Sequence, residues 1–224
     1  MSDAFDNQLA RRVDKYIEKL CIPRDDALEQ GLKDAGQAGL PAIHVSANEG
    51  KLLYLIARIA GAKRVLEIGT LGGYSTTWLA RALLPDGKVI TLELDQRHAD
   101  VARKNLDRAG VGDRVDIRVG RAADSLRAMV DRGEGPFDLI FIDADKESYV
   151  EYLNLSLRLA RPGTVILADN LIRNGRVLEA RPSEASARGT KAYNEALAAH
   201  LSLDSLILPI IRENLDGLSI SIVK

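Results

Sequence analysis

Between residues 64 and 168 the chain repeatedly alternates short aliphatic runs with longer amphipathic ones, and this alternation constrains the fold more than any other feature. Strand-like runs fall at 64–68 (Arg-Val-Leu-Glu-Ile), 88–93, 115–119, 137–142 and 164–168, and helix-like runs near 75–84, 96–109, 122–132 and 147–160. Turns at Pro85-Asp86-Gly87 and Pro162-Gly163 punctuate them. Repeated strand-helix units call for a mostly parallel sheet covered by helices on both faces. The last part breaks the rule. A helix near 186–201 precedes two strand-like runs, 203–211 and 217–223, joined by a short segment containing Asp216-Gly217, and strands with no helix between them pair antiparallel. Upstream, 4–20 and 25–38 read as amphipathic helices that end at the Gly39-Leu40-Pro41 break and form an N-terminal cap. Ser46 and Glu49 have the spacing of a capping box, opening a helix through about Ile59. The expected architecture is a Rossmann-like α/β fold with a seven-stranded, mostly parallel sheet, a C-terminal antiparallel hairpin and a helical cap. One domain spans 1–224, with the cap at 1–45 and the core at 46–224.

Charge narrows the partners. The 31 basic and 32 acidic residues are interleaved and sum to −1, so no net field gathers nucleic acid or an anionic membrane surface. Small-molecule chemistry gains weight. Cys21 is the only cysteine, which excludes an intrachain disulfide and a thiolate-rich zinc site and fits a reducing, cytoplasmic address. The first twenty residues alternate charge with apolar positions, unlike a signal peptide, and no apolar stretch reaches the roughly 20 residues that span a bilayer.

The segment Val65-Leu66-Glu67-Ile68-Gly69-Thr70-Leu71-Gly72-Gly73-Tyr74-Ser75 joins a strand to a helix. In an open α/β sheet, ligands sit beyond the carboxyl ends of the strands, where glycines let the backbone approach them. Glu93 closes the next strand and can accept both hydroxyls of an adenosine ribose. The spacing of Gly69, Gly72 and Gly73 is not the Gly-x-Gly-x-x-Gly of nicotinamide dinucleotide sites. Glu67 would repel a pyrophosphate but suits a ligand bearing ammonium and sulfonium, which favours S-adenosylmethionine over NAD. The plainer reading is a tight strand-helix turn.

Asp143-Ala144-Asp145-Lys146 follows the fourth strand and Asp169-Asn170 the fifth. If those strands are neighbours, Asp143, Asp169 and Asn170 supply hard oxygen donors, a set for Mg²⁺, with Ca²⁺ or Mn²⁺ as alternatives, rather than zinc. Alternatively, Asp143 and Asp145 cap the helix starting near Glu147. A lysine beside a divalent cation is pushed toward its neutral form, so Lys146 is a candidate general base; its plainer fate is a solvated pair with Asp145 or Glu147. His44, His98 and His200 are scattered and receive no catalytic role.

These residues together resemble the cation-dependent O-methyltransferases typified by catechol O-methyltransferase and plant caffeoyl-CoA O-methyltransferase, and more closely their small bacterial relatives. The resemblance runs from about Ser46 to the C-terminus. It rests on Ser-Ala-Asn-Glu-Gly at 46–50, Glu-Ile-Gly-Thr-Leu-Gly-Gly-Tyr-Ser at 67–75, Phe-Ile-Asp-Ala-Asp-Lys at 141–146, Asp-Asn at 169–170 and Asp-Gly-Leu at 216–218. It implies that Val45, Glu67, Gly69, Thr70, Gly73, Ser75, Glu93, Ala122, Asp143 and Asp145 form the S-adenosylmethionine site. It further implies that Asp143, Asp169 and Asn170 bind the metal, that Lys146 is the base, and that Asn174 contacts the acceptor, a small aromatic diol. Gly72 stands where relatives often carry a larger residue and is expected to loosen the turn. The acceptor pocket is expected from the N-terminal helices and the loop 171–190, whose Arg173, Arg176, Arg181 and Arg188 suit an anionic acceptor, or else simply form a solvated loop. Relatives are commonly dimers, and the N-terminal helices would supply a homodimer interface. The rival readings are an NAD-dependent oxidoreductase, a methyltransferase for RNA or an amine, and a non-catalytic S-adenosylmethionine-binding module. The chain has no Asn/Asp-Pro-Pro-Tyr segment and no basic face, which weighs against the nucleic-acid reading.

Overall fold

In the computed structural model, which describes residues 7–211 and 215–224, one sheet carries all the strands in the order β3-β2-β1-β4-β5-β7-β6. The strands are β1 Arg64–Ile68, β2 Lys88–Glu93, β3 Val115–Val119, β4 Leu139–Ile142, β5 Val165–Ala168, β6 Leu203–Ile211 and β7 Leu215–Val223. The helices are α1 Asn7–Cys21, α2 Asp26–Gln37, α3 Ala47–Ile59, α4 Tyr74–Ala82, α5 Gln96–Arg108, α6 Ala122–Asp131, α7 Tyr149–Arg158 and α8 Ala185–Ala199. From β3 to β5 neighbouring strands are parallel; β7 runs antiparallel to both β5 and β6.

Side-chain alternation along the central strands builds two cores. Val65, Leu139, Phe141 and Leu167 face α3, α4 and α5, packing with Leu53, Leu79 and Leu106. Their neighbours Leu66, Ile68, Ile140 and Ile142 face the other side, with Leu126, Met129, Leu153 and Tyr193 of α6, α7 and α8. Because both faces are covered, these strands read as continuous apolar runs. Full burial of each such side chain contributes about 1.5–3 kcal/mol. The capping box opens α3 as expected: Glu49 N donates to Ser46 Oγ, and Ser46 N to Glu49 Oε2.

Several boundaries differ from expectation, each for a local reason. The fourth strand begins at Leu139 because the Asp138 carboxylate turns back to accept from Lys63 N and Arg64 N, both at 2.9 Å. Asp216 and Gly217 are not the hairpin turn; they lie within β7, opposite Ile210 and Pro209. Residues 212–214, between the two strands, lie outside the described residues, as do positions 4–6 of the first expected helix. Among the described residues no helix is long and apolar enough to cross a membrane.

The chain runs from β1 outward to β2 and β3, then crosses back to β4 on the other side of β1. Ligands of open α/β sheets bind at this reversal of strand order, because the loops leaving the two strands diverge to opposite faces and leave a crevice. The glycine-rich turn follows β1, and Asp143 follows β4.

Candidate functional site

A cavity of about 840 Å³ opens over that crevice, roofed by α2 and residues 40–45. Val45, Gly69, Thr70, Gly73, Ser75, Glu93, Ala122, Asp143, Asp145, Lys146 and Asn170, scattered over 126 positions of sequence (Val45 to Asn170), all line it. From the 171–190 loop only Arg173 reaches the cavity, and α1 does not, so the expected acceptor walls are narrower than the sequence suggested.

Backbone geometry explains the glycines. Gly69 has φ 104°, and a Cβ there would lie 2.1 Å from the Asp143 carbonyl, so the β1 and β4 loops touch through a residue with no side chain. Gly72 does not loosen the turn. A Cβ at 72 would stand 3.2 Å from Ala35 Cβ, and the space it leaves is filled by the close approach of α2. Buried Asn105 of α5 secures that approach, its amide donating to Gly72 O at 2.9 Å and to Gly31 O of α2 at 3.2 Å.

Three expected residues do not line the cavity. Glu67 is fully buried behind Ser75. Its carboxylate accepts from Ser75 Oγ at 2.6 Å, Thr91 Oγ1 at 2.7 Å and Thr76 Oγ1. Burial pushes its carboxyl up to about 7 against the opposing pull of these hydroxyls. Glu67 thus braces the start of α4 rather than facing a ligand. Asn174 turns toward β7, accepting from Leu215 N at 3.0 Å through Oδ1, because the left-handed Arg173 and Asn174 (φ 53° and 55°) swing the chain around. Asp169, 2% exposed, lies outside the lining, its carboxylate accepting from Asn170 N at 2.7 Å.

Glu93 stands at the cavity wall and holds the glycine turn. Its Oε2 accepts from Leu71 N at 2.7 Å and its Oε1 from Asp95 N at 3.0 Å, with His98 Nδ1 3.4 Å away. Each carboxylate oxygen has further lone-pair capacity for ligand hydroxyls.

Past β4 the site is ionic. Lys146, 8% exposed, donates from Nζ to Asp143 Oδ1 at 2.9 Å and to the Tyr149 hydroxyl at 2.6 Å. Neither expected alternative partner, Asp145 or Glu147, holds it. Asp145 instead accepts from the Tyr152 hydroxyl and makes no side-chain cap, so the helix-cap reading of this cluster fails. Burial pushes the Tyr149 phenol well up, and the charges of Asp143 and Asp169 push in the same direction. The carboxylates of Asp143 and Asp169 and the amide of Asn170 are hard oxygen donors, the chemistry that a divalent cation takes.

Several contributors escaped sequence reasoning. Tyr149 and Tyr152 were signalled by their three-residue steps from Lys146, which stack side chains along a helix start. Asn105, and His44 and His98 at the cavity wall, carried no local signal. Asp216 belongs to the Asp-Gly-Leu motif at 216–218, which by itself assigns it no role. Its Oδ1 accepts from Ile172 N (3.0 Å), Arg173 N (3.1 Å) and Gly217 N (2.9 Å). Those bonds hold a segment in which Asn170, Arg173 and Asn174 all have positive φ, a conformation that costs on the order of 1–3 kcal/mol per residue.

Comparison with known proteins gives the family. The family model described as O-methyltransferase matches residues 21–220. A catechol O-methyltransferase from Niastella koreensis is 49% identical over 221 residues, 98% of this chain and 100% of that one. Another from Mycobacterium tuberculosis is 46% identical, covering 95% of each chain. Among solved structures, the O-methyltransferase from Bacillus cereus in complex with SAH superposes with a TM-score of 0.95 at 42% identity, over 97% of this chain and 100% of that one. The cavity at the β1/β4 reversal, the glycine turn that forms its wall and these full-length similarities have one meaning: the chain belongs to the O-methyltransferase family and is an S-adenosylmethionine-dependent enzyme.

Proposed function

We propose that this enzyme methylates a hydroxyl of a catechol-like small aromatic acceptor with the help of a divalent cation, Mg²⁺ before Ca²⁺ or Mn²⁺. The observation that carries the reading is Lys146 Nζ in the cavity lining, 2.9 Å from Asp143 Oδ1, with Asn170 in the same lining. The names of the two catechol O-methyltransferase relatives support the acceptor class.

Asp143, Asp169 and Asn170 would hold the cation. Among the described residues no group of three or more His, Cys, Asp and Glu side chains could hold a metal ion, and this set has two carboxylates and an amide, so water and acceptor oxygens would complete the shell. When bound, S-adenosylmethionine supplies the methyl group and the cation supplies positive charge at the acceptor oxygen. Glu93 would take the ribose hydroxyls, and Gly69, Thr70, Gly73, Ser75, Ala122, Val45 and Asp145 would shape the rest of the donor site. In its neutral form, Lys146 would receive the acceptor hydroxyl proton at Nζ. Tyr149 is unsuited to that task, since its phenol is held protonated by burial and by two carboxylates. Positioning acceptor oxygen and methyl carbon in one crevice contributes roughly 7–11 kcal/mol in intramolecular models. The exposed Val13, Tyr16, Ile17 and Leu20 along α1 would be covered in a homodimer.

The test is methyl transfer from labelled S-adenosylmethionine to catechol, caffeate and caffeoyl-CoA, with Mg²⁺ and with chelator. Transfer to a catechol that stops on chelation is the expected result. Transfer that survives chelation would remove the cation, and transfer only to unrelated acceptors would remove the catechol.

A further inference from the structure

Asp216 lies in β7, three residues before Ser219, the partner of Ala168 at the end of β5, and its side chain reaches across to the loop that β5 feeds. Through Oδ1 it gathers the amides of Ile172, Arg173 and Gly217; through Oδ2 it accepts from Asn170 Nδ2 at 3.3 Å. Asn170 lines the cavity and Asp216 does not. The two ends of an asparagine side chain differ chemically: the nitrogen only donates and the oxygen only accepts. Only the oxygen can ligate a cation. Which end faces a ligand is set by what the other end meets.

We infer that Asp216 is a positioning residue that fixes the rotation of the Asn170 carboxamide, so that its oxygen is presented to the cavity. The inference rests on the proposal that Asn170 helps hold a divalent cation. A carboxylate offers only acceptors, so it can satisfy Nδ2 and never Oδ1; with Nδ2 committed to Asp216, Oδ1 is the polar atom left for a ligand. The same carboxylate anchors the left-handed turn at Asn170, Arg173 and Asn174, so the backbone and side chain of Asn170 are set by one group. Such partners of metal ligands act by orienting the donor atom, and their loss typically lowers metal affinity about 10–100-fold.

An amide at 216 separates orientation from mere support of the turn. Asp216→Asn can keep an oxygen for the backbone amides of Ile172, Arg173 and Gly217 but places an NH₂ opposite Asn170, which then satisfies itself by turning its own oxygen away from the cavity. Mn²⁺ binding, followed by electron paramagnetic resonance without acceptor, is expected to weaken about 10–100-fold. SAH affinity is expected to change less than about twofold, since no group that forms the donor site is touched. The reciprocal double variant, Asp216→Asn with Asn170→Asp, conserves charge and puts an oxygen on both faces of residue 170; it is expected to recover Mn²⁺ affinity. Wild-type affinity in Asp216→Asn would overturn the inference. So would a loss that the double variant does not recover, because that pattern belongs to a collapsed turn. Absence of Mn²⁺ binding by the unmodified protein would instead remove the cation reading itself, and this inference with it.

Discussion

Glu67 and Asp143 stand at the ends of neighbouring parallel strands, yet the protein treats their charges in opposite ways. Glu67 is shut off from solvent among three hydroxyl donors, and burial raises its carboxyl to about 7. Asp143, just past β4, faces the cavity with an ammonium 2.9 Å away. Neutral hydroxyls can brace a turn and leave little charge for a ligand to meet. An ion pair at a cavity wall keeps a charge that an incoming cation can take over. One wall is built for holding; on the proposed function, the other is built for exchange.

The ionic wall can be broken most severely. Asp143→Ala and Asp169→Ala are expected to lower turnover by on the order of 10³-fold or more, the several kcal/mol a bound cation contributes, while in Asp169→Ala SAH affinity, measured by calorimetry, stays near wild type. Normal turnover in either variant would end the proposed chelate and with it the contrast between the walls.

The hydroxyl-lined wall predicts a signature in pH rather than in rate. The Glu67 carboxyl, ordinarily near 4.5, is raised to about 7 in the fold, so the native state keeps a proton over that interval that the unfolded chain has lost. Its contribution to stability is full below pH 4.5 and is lost as pH rises through about 7. Denaturant titrations of the metal-free protein should show Glu67→Gln removing about 3 kcal/mol of pH dependence across that window. An unchanged pH profile would mean that Glu67 is ionised in the fold.

Lys146→Met sharpens the comparison from the chemical side. The expected loss is roughly 10²-fold in kcat, deepening as pH falls and the acceptor hydroxyl holds its proton, with SAH affinity unchanged. A uniform loss at every pH would assign Lys146 to positioning rather than proton transfer.

Most of the glycine-turn wall was legible in the sequence because its signals are local. A strand, glycines and a helix in succession define the turn at 69–75, and Glu93 ends the following strand. What was misread there, Glu67 as a ligand-facing acid and Gly72 as a loosening, depends on neighbours distant in sequence: Thr91 of β2 closes over Glu67, and Ala35 of α2 fills the space beside Gly72. The ionic wall was less legible for the same reason. Asp143 and Asp145 are two residues apart and share the helix-cap reading, yet one meets Lys146 and the other Tyr152.

The sequence by itself determined the strand-helix alternation, the antiparallel ending, the capping box and the types of chemical group at the strand ends, because each follows from backbone preference and side-chain period over a few residues. Only the tertiary structure decided which groups meet. The order β2-β1-β4-β5-β7 sets Gly69 against the Asp143 carbonyl and carries Asp216 to Asn170, 46 positions away. Pairing across a sheet is a property of strand order and register, and no local stretch of chain encodes it.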